Sequence, residues 1–240
     1  PERKYIFDDL IAEDITIALN SSGGVGKSNL VFLMCACVAT GISVEPFKVG
    51  MPRKVLLVNV EDGTADLWRR FYALGQVYPQ FKEKAHTLRQ NLKAYPARGL
   101  VRPLMYLDQN EPKLSEDGIW MYRSMMGIRP EFAVFDTKSR LFGLDENNND
   151  HAAQWWGLFE RVITELDNGL STMVAAHTSK QRSSQATQFS NRGAGAFIDN
   201  ARLNVVLTQM DDKEAELHDV DQTDYFAMSA PKSNYTKVKS

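Results

Sequence analysis

Long hydrophobic segments are missing from this sequence. No apolar run approaches the roughly 18 residues that a membrane-spanning helix requires, and the first residues lack the apolar stretch of a secretory signal peptide. The sequence therefore predicts no membrane partner. We expect a soluble cytoplasmic protein.

Cysteine is also scarce. Cys35 and Cys37 are the two cysteines, and they have neither C-x-x-C spacing nor neighbouring histidines, so a zinc site is not expected. If the segment is helical, side chains two residues apart point in different directions and cannot form a disulfide. We expect two buried apolar thiols, which suits a reducing compartment.

An excess of positive charge is absent as well. The 28 Lys and Arg residues against 30 Asp and Glu residues give a net charge of -2. Any surface that binds nucleic acid must therefore be local. Hydrophobic residues make up 43% and charged residues 24% of the chain, both globular values. The 240 residues can bury a large core, and we expect a single domain over residues 1–240.

Strand-like and helix-like segments alternate along the chain. Apolar runs without strict period-two alternation predict buried strands at 15–20, 54–62, 131–137 and 171–179. Helices are predicted at 28–40, 64–75, 116–127 and 147–169. The alternation predicts an α/β fold, with a mostly parallel twisted sheet and helices on both faces. Residues 202–210 and 224–232 are predicted to close the sheet as an antiparallel C-terminal edge.

Other segments have weaker patterns. Thr64 is predicted as a helix N-cap, and Gly41 and Gly75 are predicted just past helix ends. Residues 79–115 are expected to hold a helix at 79–90, a strand at 92–95 and an irregular stretch with three prolines. The polar stretch 180–192 predicts a flexible loop, and 193–201 predicts a short helix.

Two aromatic groups lie on predicted helices. Trp155 and Trp156 are adjacent and face different directions, so we expect one in the core and the other at an interface. Trp68, Phe71 and Tyr72 have helical spacing, which favours a place in the core or beside an adenine base.

A glycine-rich loop, SSGGVGKS, occupies positions 21–28 after the first predicted strand. Its glycines let the backbone approach an anion closely, and the following helix adds its positive N-terminal end. Lys27 is expected to reach the β- and γ-phosphates, and the Ser28 hydroxyl to bind Mg²⁺. The predicted phosphate loop comprises Ser22, Gly23, Gly24, Val25, Gly26, Lys27, Ser28 and Asn29.

The loop departs from the usual pattern, G-x-x-x-x-G-K-[S/T], at its first position. This chain has Ser21 where the pattern has glycine. Serine fits there if its φ stays negative, and its hydroxyl can support the turn. We interpret the segment as a working phosphate loop with an altered entry.

Three polar residues end other predicted strands. Asp136 follows FAVF, where an acid can hold Mg²⁺ through its water shell; capping the next element is the alternative. Glu61 follows LLVNV, at the sheet edge that carries the phosphate loop, and can activate the attacking water. A helix N-cap is the alternative there, and it suits Asp62 better. His177 follows STMVAA and can bond to the γ-phosphate; a buried structural histidine is the alternative.

These motifs resemble those of the RecA-type ATPases. GGVGKS, the VED after the second strand, FDT-SR, HTSK, RGAGAFIDNAR and PKSNY occur in this order between about Tyr5 and Tyr235. Among these ATPases, the chain resembles the RepA-like group of small hexameric replicative helicases of broad-host-range plasmids. RGAGAFIDNAR is the most discriminating motif, and this group also accepts serine at position 21.

The resemblance implies a RecA-like core, ATP and Mg²⁺ as cofactors, and a homo-hexameric ring with ATP between subunits. The residues that match the family's loop lysine and serine, catalytic glutamate, metal-site aspartate and sensor histidine are Lys27, Ser28, Glu61, Asp136 and His177. Arg202 and Lys232 match basic residues that such rings place against a neighbour's γ-phosphate. The alternatives are an ion pair of Arg202 with Asp199 and a solvated surface position for Lys232.

Single-stranded DNA is the main partner that the resemblance implies. Lys180, Arg182 and Arg192 in the polar loop are candidates for phosphate contacts, although such a loop is equally typical of a solvated linker. The leading hypothesis is an ATP-driven DNA helicase of plasmid, phage or mobile-element replication, with primase or initiator proteins as further partners. The alternatives are a regulatory or recombination-mediator ATPase that binds DNA without unwinding it, and a nucleotide-binding module without hydrolysis.

Overall fold

The computed structural model describes residues 2–177, 195–221 and 225–233. Its strands are β1 (Tyr5–Phe7), β2 (Ile11–Ala12), β3 (Thr16–Ser21), β4 (Val55–Asn59), β5 (Leu92–Pro96), β6 (Met105–Asp108), β7 (Glu111–Leu114), β8 (Phe132–Asp136), β9 (Ser171–His177), β10 (Leu203–Gln209) and β11 (Phe226–Ser233). Its helices are α1 (Lys27–Thr40), α2 (Thr64–Val77), α3 (Gln80–Glu83), α4 (Ala85–Asn91), α5 (Glu116–Ile128), α6 (Lys138–Leu141), α7 (Asn149–Leu166), α8 (Gly195–Asn200) and α9 (Asp212–His218).

The described residues form a central sheet in the order β11-β10-β3-β9-β8-β4-β5. Neighbouring strands from β10 to β5 are parallel, and β11 runs antiparallel to β10. The predictions of a mostly parallel sheet and an antiparallel C-terminal edge are therefore confirmed. Because the strands are parallel, β3, β4, β8 and β9 all end at the same edge of the sheet, and the candidate site lies there.

Two apolar clusters cover the two faces of this sheet. In β3, Ile17 and Leu19 belong to one cluster and Ala18 belongs to the other, as the alternation of side chains along a strand requires. Helix α1 packs on the first face and α7 on the second. This two-layered burial explains why the strands are apolar throughout and do not alternate.

Trp155 and Trp156 are both buried, with 0% and 1% of their surfaces exposed. The expectation that one of them forms an interface is wrong, because α8 packs over α7 and covers the second indole. Phe197 of α8 lies 4.7 Å from Trp156 between ring centroids, and its carbonyl oxygen accepts the indole N–H at 2.9 Å. In α2, Phe71 packs against Phe32, but Trp68 and Tyr72 are exposed, so a core position for those two is also wrong.

Several predicted boundaries shift. Gly63, and not Thr64, is the N-cap of α2, and Gly75 lies inside the helix, not past its end. A Cβ at Gly75 would come within 3.2 Å of the Lys82 side chain, so glycine lets α3 approach α2. Gly41 does end α1, in a left-handed conformation with φ of 71°.

The segment 79–115 is more regular than predicted. The helix expected at 79–90 is split into α3 and α4 at Lys84. The stretch expected to be irregular contains the hairpin β6–β7, whose turn residues Gln109 and Asn110 both have positive φ. The predicted strand at 92–95 is confirmed as β5.

The expected chemistry of the cysteines is confirmed. Cys35 and Cys37 are free and buried in α1. Burial raises the pKa of the Cys37 thiol to about 12 and raises the pKa of Cys35 well above its ordinary value. Among the described residues, no helix combines the length and apolar character needed to cross a membrane.

Candidate active site

The phosphate loop connects the end of β3 to the start of α1. Gly24 and Gly26 have φ of 87° and 84°, a left-handed conformation that side chains with a Cβ rarely adopt. A Cβ built at either glycine would meet no atom within 4 Å, so the space beside the loop is open. Because α1 begins at Lys27, its free N–H groups point toward this space. The geometry of the loop is therefore compatible with a bound anion.

Ser21, the unusual first residue of the loop motif, is the last residue of β3. It does not have a positive φ, so serine fits without strain. Ser21 is 1% exposed, and its Oγ has no hydrogen-bond partner among the described residues. The idea that its hydroxyl supports the turn is therefore wrong. Ser21 instead lines the site pocket, and its unpaired hydroxyl can serve a bound group.

Lys27, Ser28 and Asp136 meet at the sheet edge. The Nζ of Lys27 lies 3.1 Å from Oδ1 of Asp136, and the Ser28 hydroxyl donates to Oδ2 of Asp136 at 2.9 Å. Lys27 is 4% exposed and Asp136 is 0% exposed. The pairing satisfies a buried carboxylate that would otherwise be costly.

The donor set fits Mg²⁺. A serine hydroxyl and one carboxylate are hard oxygen ligands, and Mg²⁺ in phosphate sites usually takes one or two carboxylates and fills its shell with water and phosphate oxygens. No cluster of three or more His, Cys, Asp or Glu side chains suited to a metal occurs among the described residues. Ser28 and Asp136 therefore suit a metal that arrives with a nucleotide better than a permanent metal centre.

Glu61 and His177 face each other across the same pocket. His177 ends β9, and its Nε2 lies 3.6 Å from Oε1 of Glu61. This distance allows an ion pair if the imidazole is protonated, but it is longer than a hydrogen bond. The two side chains are 37% and 41% exposed, so His177 is not a buried structural histidine.

A polar network that the sequence motifs did not reveal holds the segment around Glu61. The Oδ1 of Asn59 accepts hydrogen bonds from the backbone N–H groups of Glu61 and Asp62, at 3.0 Å and 2.7 Å. Asp62 is not a helix cap; its carboxylate accepts from Nε of Arg70 at 2.7 Å. The polar Asn59 within the apolar run LLVNV is the sequence signal that could have indicated this network.

These side chains enclose a pocket of about 240 Å³. Its walls are Ser21, most of the phosphate loop, Glu61, Arg70 and His177. The structure thus brings together the predicted phosphate loop, metal-site pair, glutamate and histidine. Gly23 belongs to the loop but does not line this pocket.

Arg202 and Lys232 lie elsewhere. The backbone N–H of Arg202 bonds to the Thr16 carbonyl at 2.9 Å, at the start of β3. The phosphate loop follows Ser21, at the other end of that strand, which is about 16 Å away for five residues of extended chain. Lys232 is close to the same edge, since its Nζ donates to the Asp199 carbonyl at 2.6 Å.

The contacts of these two cations differ from both alternatives considered for them. Arg202 pairs with Glu160, its Nε 3.4 Å from Oε1, and not with Asp199. Lys232 is partly buried, where its ammonium group binds carbonyls at the end of α8. Burial lowers its pKa below the ordinary value, although Asp199 opposes the shift, and the Arg202 charge lowers the pKa further. Lys180, Arg182 and Arg192 lie outside the described residues.

The sheet order, the phosphate loop and the Lys27–Ser28–Asp136 cluster define a RecA-type P-loop ATPase. The family model described as an AAA domain matches residues 1–183, and the chain belongs to that family. The fold is similar to the crystal structure of the KaiC-like protein from the hyperthermophilic archaeon Pyrococcus horikoshii OT3. The two share 17% sequence identity with a TM-score of 0.58, over 99% of this chain and 91% of that one. Families of this kind bind nucleotide, typically with Mg²⁺, and hydrolyse ATP.

Proposed function

We propose that this chain is the motor subunit of a homo-hexameric DNA helicase that acts on single-stranded DNA during replication of a plasmid, phage or mobile element. The order of its motifs, which resembles that of the RepA-like helicases, supports this. The observation that carries the proposal is the position of Arg202 and Lys232. Both cations lie at the sheet edge opposite the phosphate loop of their own chain.

A cation at that edge cannot reach its own phosphates. The extended length of β3, about 16 Å, separates Arg202 from the loop, and an arginine side chain spans less than half of that. A neighbouring subunit packed against this edge can instead bring its own phosphate loop to Arg202. In that arrangement, one subunit binds ATP and the next supplies the cation that completes the site, so hydrolysis depends on assembly.

Within each subunit, the pocket residues bind the phosphates and the metal and activate the attacking water. The loop N–H groups and Lys27 bind the phosphates, while Ser28 and Asp136 provide the metal-site oxygens. Glu61 accepts the proton of the attacking water, and His177 hydrogen-bonds the γ-phosphate. A Mg²⁺ ion held there would neutralise part of the charge on the phosphates.

The shared active site can be tested by mixing two inactive variants. Lys27→Ala and Arg202→Ala should each abolish most of the turnover, the second by roughly 10³-fold or more. In mixed rings, some interfaces combine an intact Lys27 with an intact Arg202, so mixing should restore part of the ATPase rate. Arg161→Ala is the matched control and should leave turnover unchanged, because Arg161 is also an exposed arginine of this region that pairs with a glutamate, Glu165. No recovery on mixing would argue against a contribution from the neighbouring subunit.

The helicase activity requires a separate test. Single-stranded DNA should stimulate the ATPase, native mass with nucleotide should show a hexamer, and a forked duplex should be separated in the presence of ATP. Changing Lys180 and Arg182 together should flatten the salt dependence of DNA binding by about one to two units of slope. Stimulated ATPase without strand separation would instead support a regulatory or recombination-mediator ATPase. An ATPase indifferent to DNA would contradict the proposal.

A further inference from the structure

We propose that Asn59 and Arg70 are positioning residues that hold Glu61 in register with the metal-site carboxylate and the phosphate loop. The inference rests on the proposed role of Glu61 as the residue that activates water. It concerns two side chains that no sequence motif of the site includes.

Asn59 is the buried centre of the network. It is the last residue of β4, it is 0% exposed, and it pairs with Asp136 across the β4–β8 ladder. Its Oδ1 accepts the N–H groups of Glu61 and Asp62, which bends the chain immediately after the strand. Its Nδ2 lies 3.4 Å from Oδ2 of Asp136. One amide group therefore links the backbone of Glu61 to the metal-site carboxylate.

Arg70 fastens the same segment from the other side. Its Nε donates to the Asp62 carboxylate at 2.7 Å, and an η nitrogen donates to Oδ1 of Asn29 at 2.8 Å. The guanidinium group also lies 5.6 Å from the centre of the Phe32 ring. Asn29 and Phe32 both belong to α1, so Arg70 ties the residue after Glu61 to the helix that follows the phosphate loop.

These contacts matter because the Glu61 side chain has few of its own within the part of the chain that the structure describes. Its side chain is 37% exposed, and its Oε1 lies 3.6 Å from Nε2 of His177. The position of this side chain is therefore set mainly by its backbone, and its backbone is held by Asn59 and, through Asp62, by Arg70. A catalytic group displaced by about 1 Å can lose about 100-fold in rate.

The first experiment compares adjacent arginines in the intact ring. Arg70→Ala should lower kcat by about 10- to 100-fold, while the affinity for a fluorescent ATP analogue changes less than about 3-fold. Arg69→Ala is the matched control, because Arg69 is 76% exposed and pairs with Asp66 of its own helix; its kcat should be unchanged. A larger loss of nucleotide affinity than of kcat would overturn the proposal and make Arg70 a phosphate ligand.

A double-mutant cycle then asks whether Arg70 acts through Glu61. In a Glu61→Gln background, Arg70→Ala should reduce the residual single-turnover rate by less than about 3-fold, because the group that it positions is already gone. Two independent, multiplicative losses would overturn the proposal. If Glu61→Gln alone has an unchanged kcat, the proposed role of Glu61 fails. If Glu61→Gln is impaired but Arg70→Ala is not, only the positioning role fails.

Asn59→Asp gives an independent readout. The aspartate keeps an acceptor for the two N–H groups but replaces the amide donor beside Asp136 with a second negative charge. We expect a loss of kcat comparable to that of Arg70→Ala, since the new carboxylate repels Asp136 and breaks the link between that residue and the backbone of Glu61. An unchanged kcat in a folded variant would contradict the role of Asn59. If the variant does not fold, the Arg70 cycle decides the proposal.

Discussion

The ammonium group of Lys27 lies 3.1 Å from Oδ1 of Asp136, and both side chains are buried. Removing one member of such a pair leaves an uncompensated charge in a region with little water. We therefore expect Lys27→Ala to lower the free energy of unfolding by about 3 kcal/mol in the absence of nucleotide, in addition to abolishing turnover. Urea denaturation followed by circular dichroism measures this.

The matched control for that prediction removes both charges. Lys27→Ala combined with Asp136→Asn should recover most of the lost stability while remaining inactive, because no buried charge is left unpaired. A single Lys27→Ala variant with an unchanged urea midpoint would show that solvent or Ser28 compensates Asp136 without Lys27.

Ser21→Ala should affect stability and ligand binding in opposite directions. The Ser21 hydroxyl is buried and has no hydrogen-bond partner among the described residues, so its removal should stabilise the free protein by about 1 kcal/mol. Because Ser21 lines the pocket, a nucleotide or its ordered water can satisfy that hydroxyl, and the alanine variant should bind ATP more weakly. Thermal melting with and without Mg²⁺-ATP gives both quantities. A variant that is less stable when free would refute the first part.

Lys138 is a cation that burial keeps away from the surface of the protein. It begins α6, shortly after β8, and it is 6% exposed and lies over the rings of Phe142 and Phe197. It also pairs with Glu146 at 3.1 Å. We expect Lys138→Ala to cost about 2 kcal/mol of stability, from lost packing and cation–π contact. Its effect on the proposed binding of single-stranded DNA, measured by fluorescence anisotropy, should be small once the folded fraction is equal.

Arg140→Ala is the control for Lys138, because Arg140 is exposed on the same short helix. Its stability should change by less than about 0.5 kcal/mol. A weaker DNA affinity for Lys138→Ala than for Arg140→Ala, at equal folded fraction, would contradict the burial argument.

The parts of the molecule that sequence could predict depend on local patterns. The apolar β3, the glycines and the capped α1 are adjacent in the chain, so their residues alone define the phosphate loop. Asp136, Glu61 and His177 could be placed beside it because parallel strands end at a common edge. In the structure, the phosphate loop and these three strand-end residues do lie at the same edge of the sheet.

Other features depend on contacts between distant residues. Nothing in WRRF, at positions 68–71, indicates that Arg70 turns toward the pocket while Arg69 stays exposed. Arg70 turns inward because its guanidinium group donates hydrogen bonds to Asp62 and Asn29. Similarly, Trp156 is buried because Phe197, 41 positions later, covers it. The place of Arg202 depends on the register of β10 beside β3, which no local pattern encodes.

The two cysteines should be chemically silent in the folded protein. Burial raises the pKa of Cys37 from 9.0 to about 12, so its thiolate is scarce at neutral pH. Maleimide should label neither thiol between pH 7 and 9 in the native protein, and both in urea. The pKa of the Cys37 thiol is higher in the folded protein than in the unfolded chain. Burial of the neutral thiol therefore stabilises the fold fully below about pH 9, and this stabilisation declines as the pH rises toward 12. Rapid native labelling would mean that α1 opens readily.

The ion pair between Arg202 and Glu160 predicts that the two residues can be changed without harming the fold. Their side chains are 48% and 43% exposed, and the Nε–Oε1 distance is 3.4 Å. Pairs of this kind contribute about 0–1 kcal/mol, so Arg202→Ala and Glu160→Gln should melt close to the unaltered protein.

The ATPase activities of these two variants should differ. Arg202→Ala removes the cation that we propose acts on the neighbouring site. Glu160→Gln leaves that cation in place and removes only the carboxylate that competes with the phosphate for it. We expect Glu160→Gln to retain or increase the ATPase rate, measured at subunit concentrations that favour the proposed ring. Equal losses in both variants would assign the pair a structural role and argue against Arg202 acting on a neighbour.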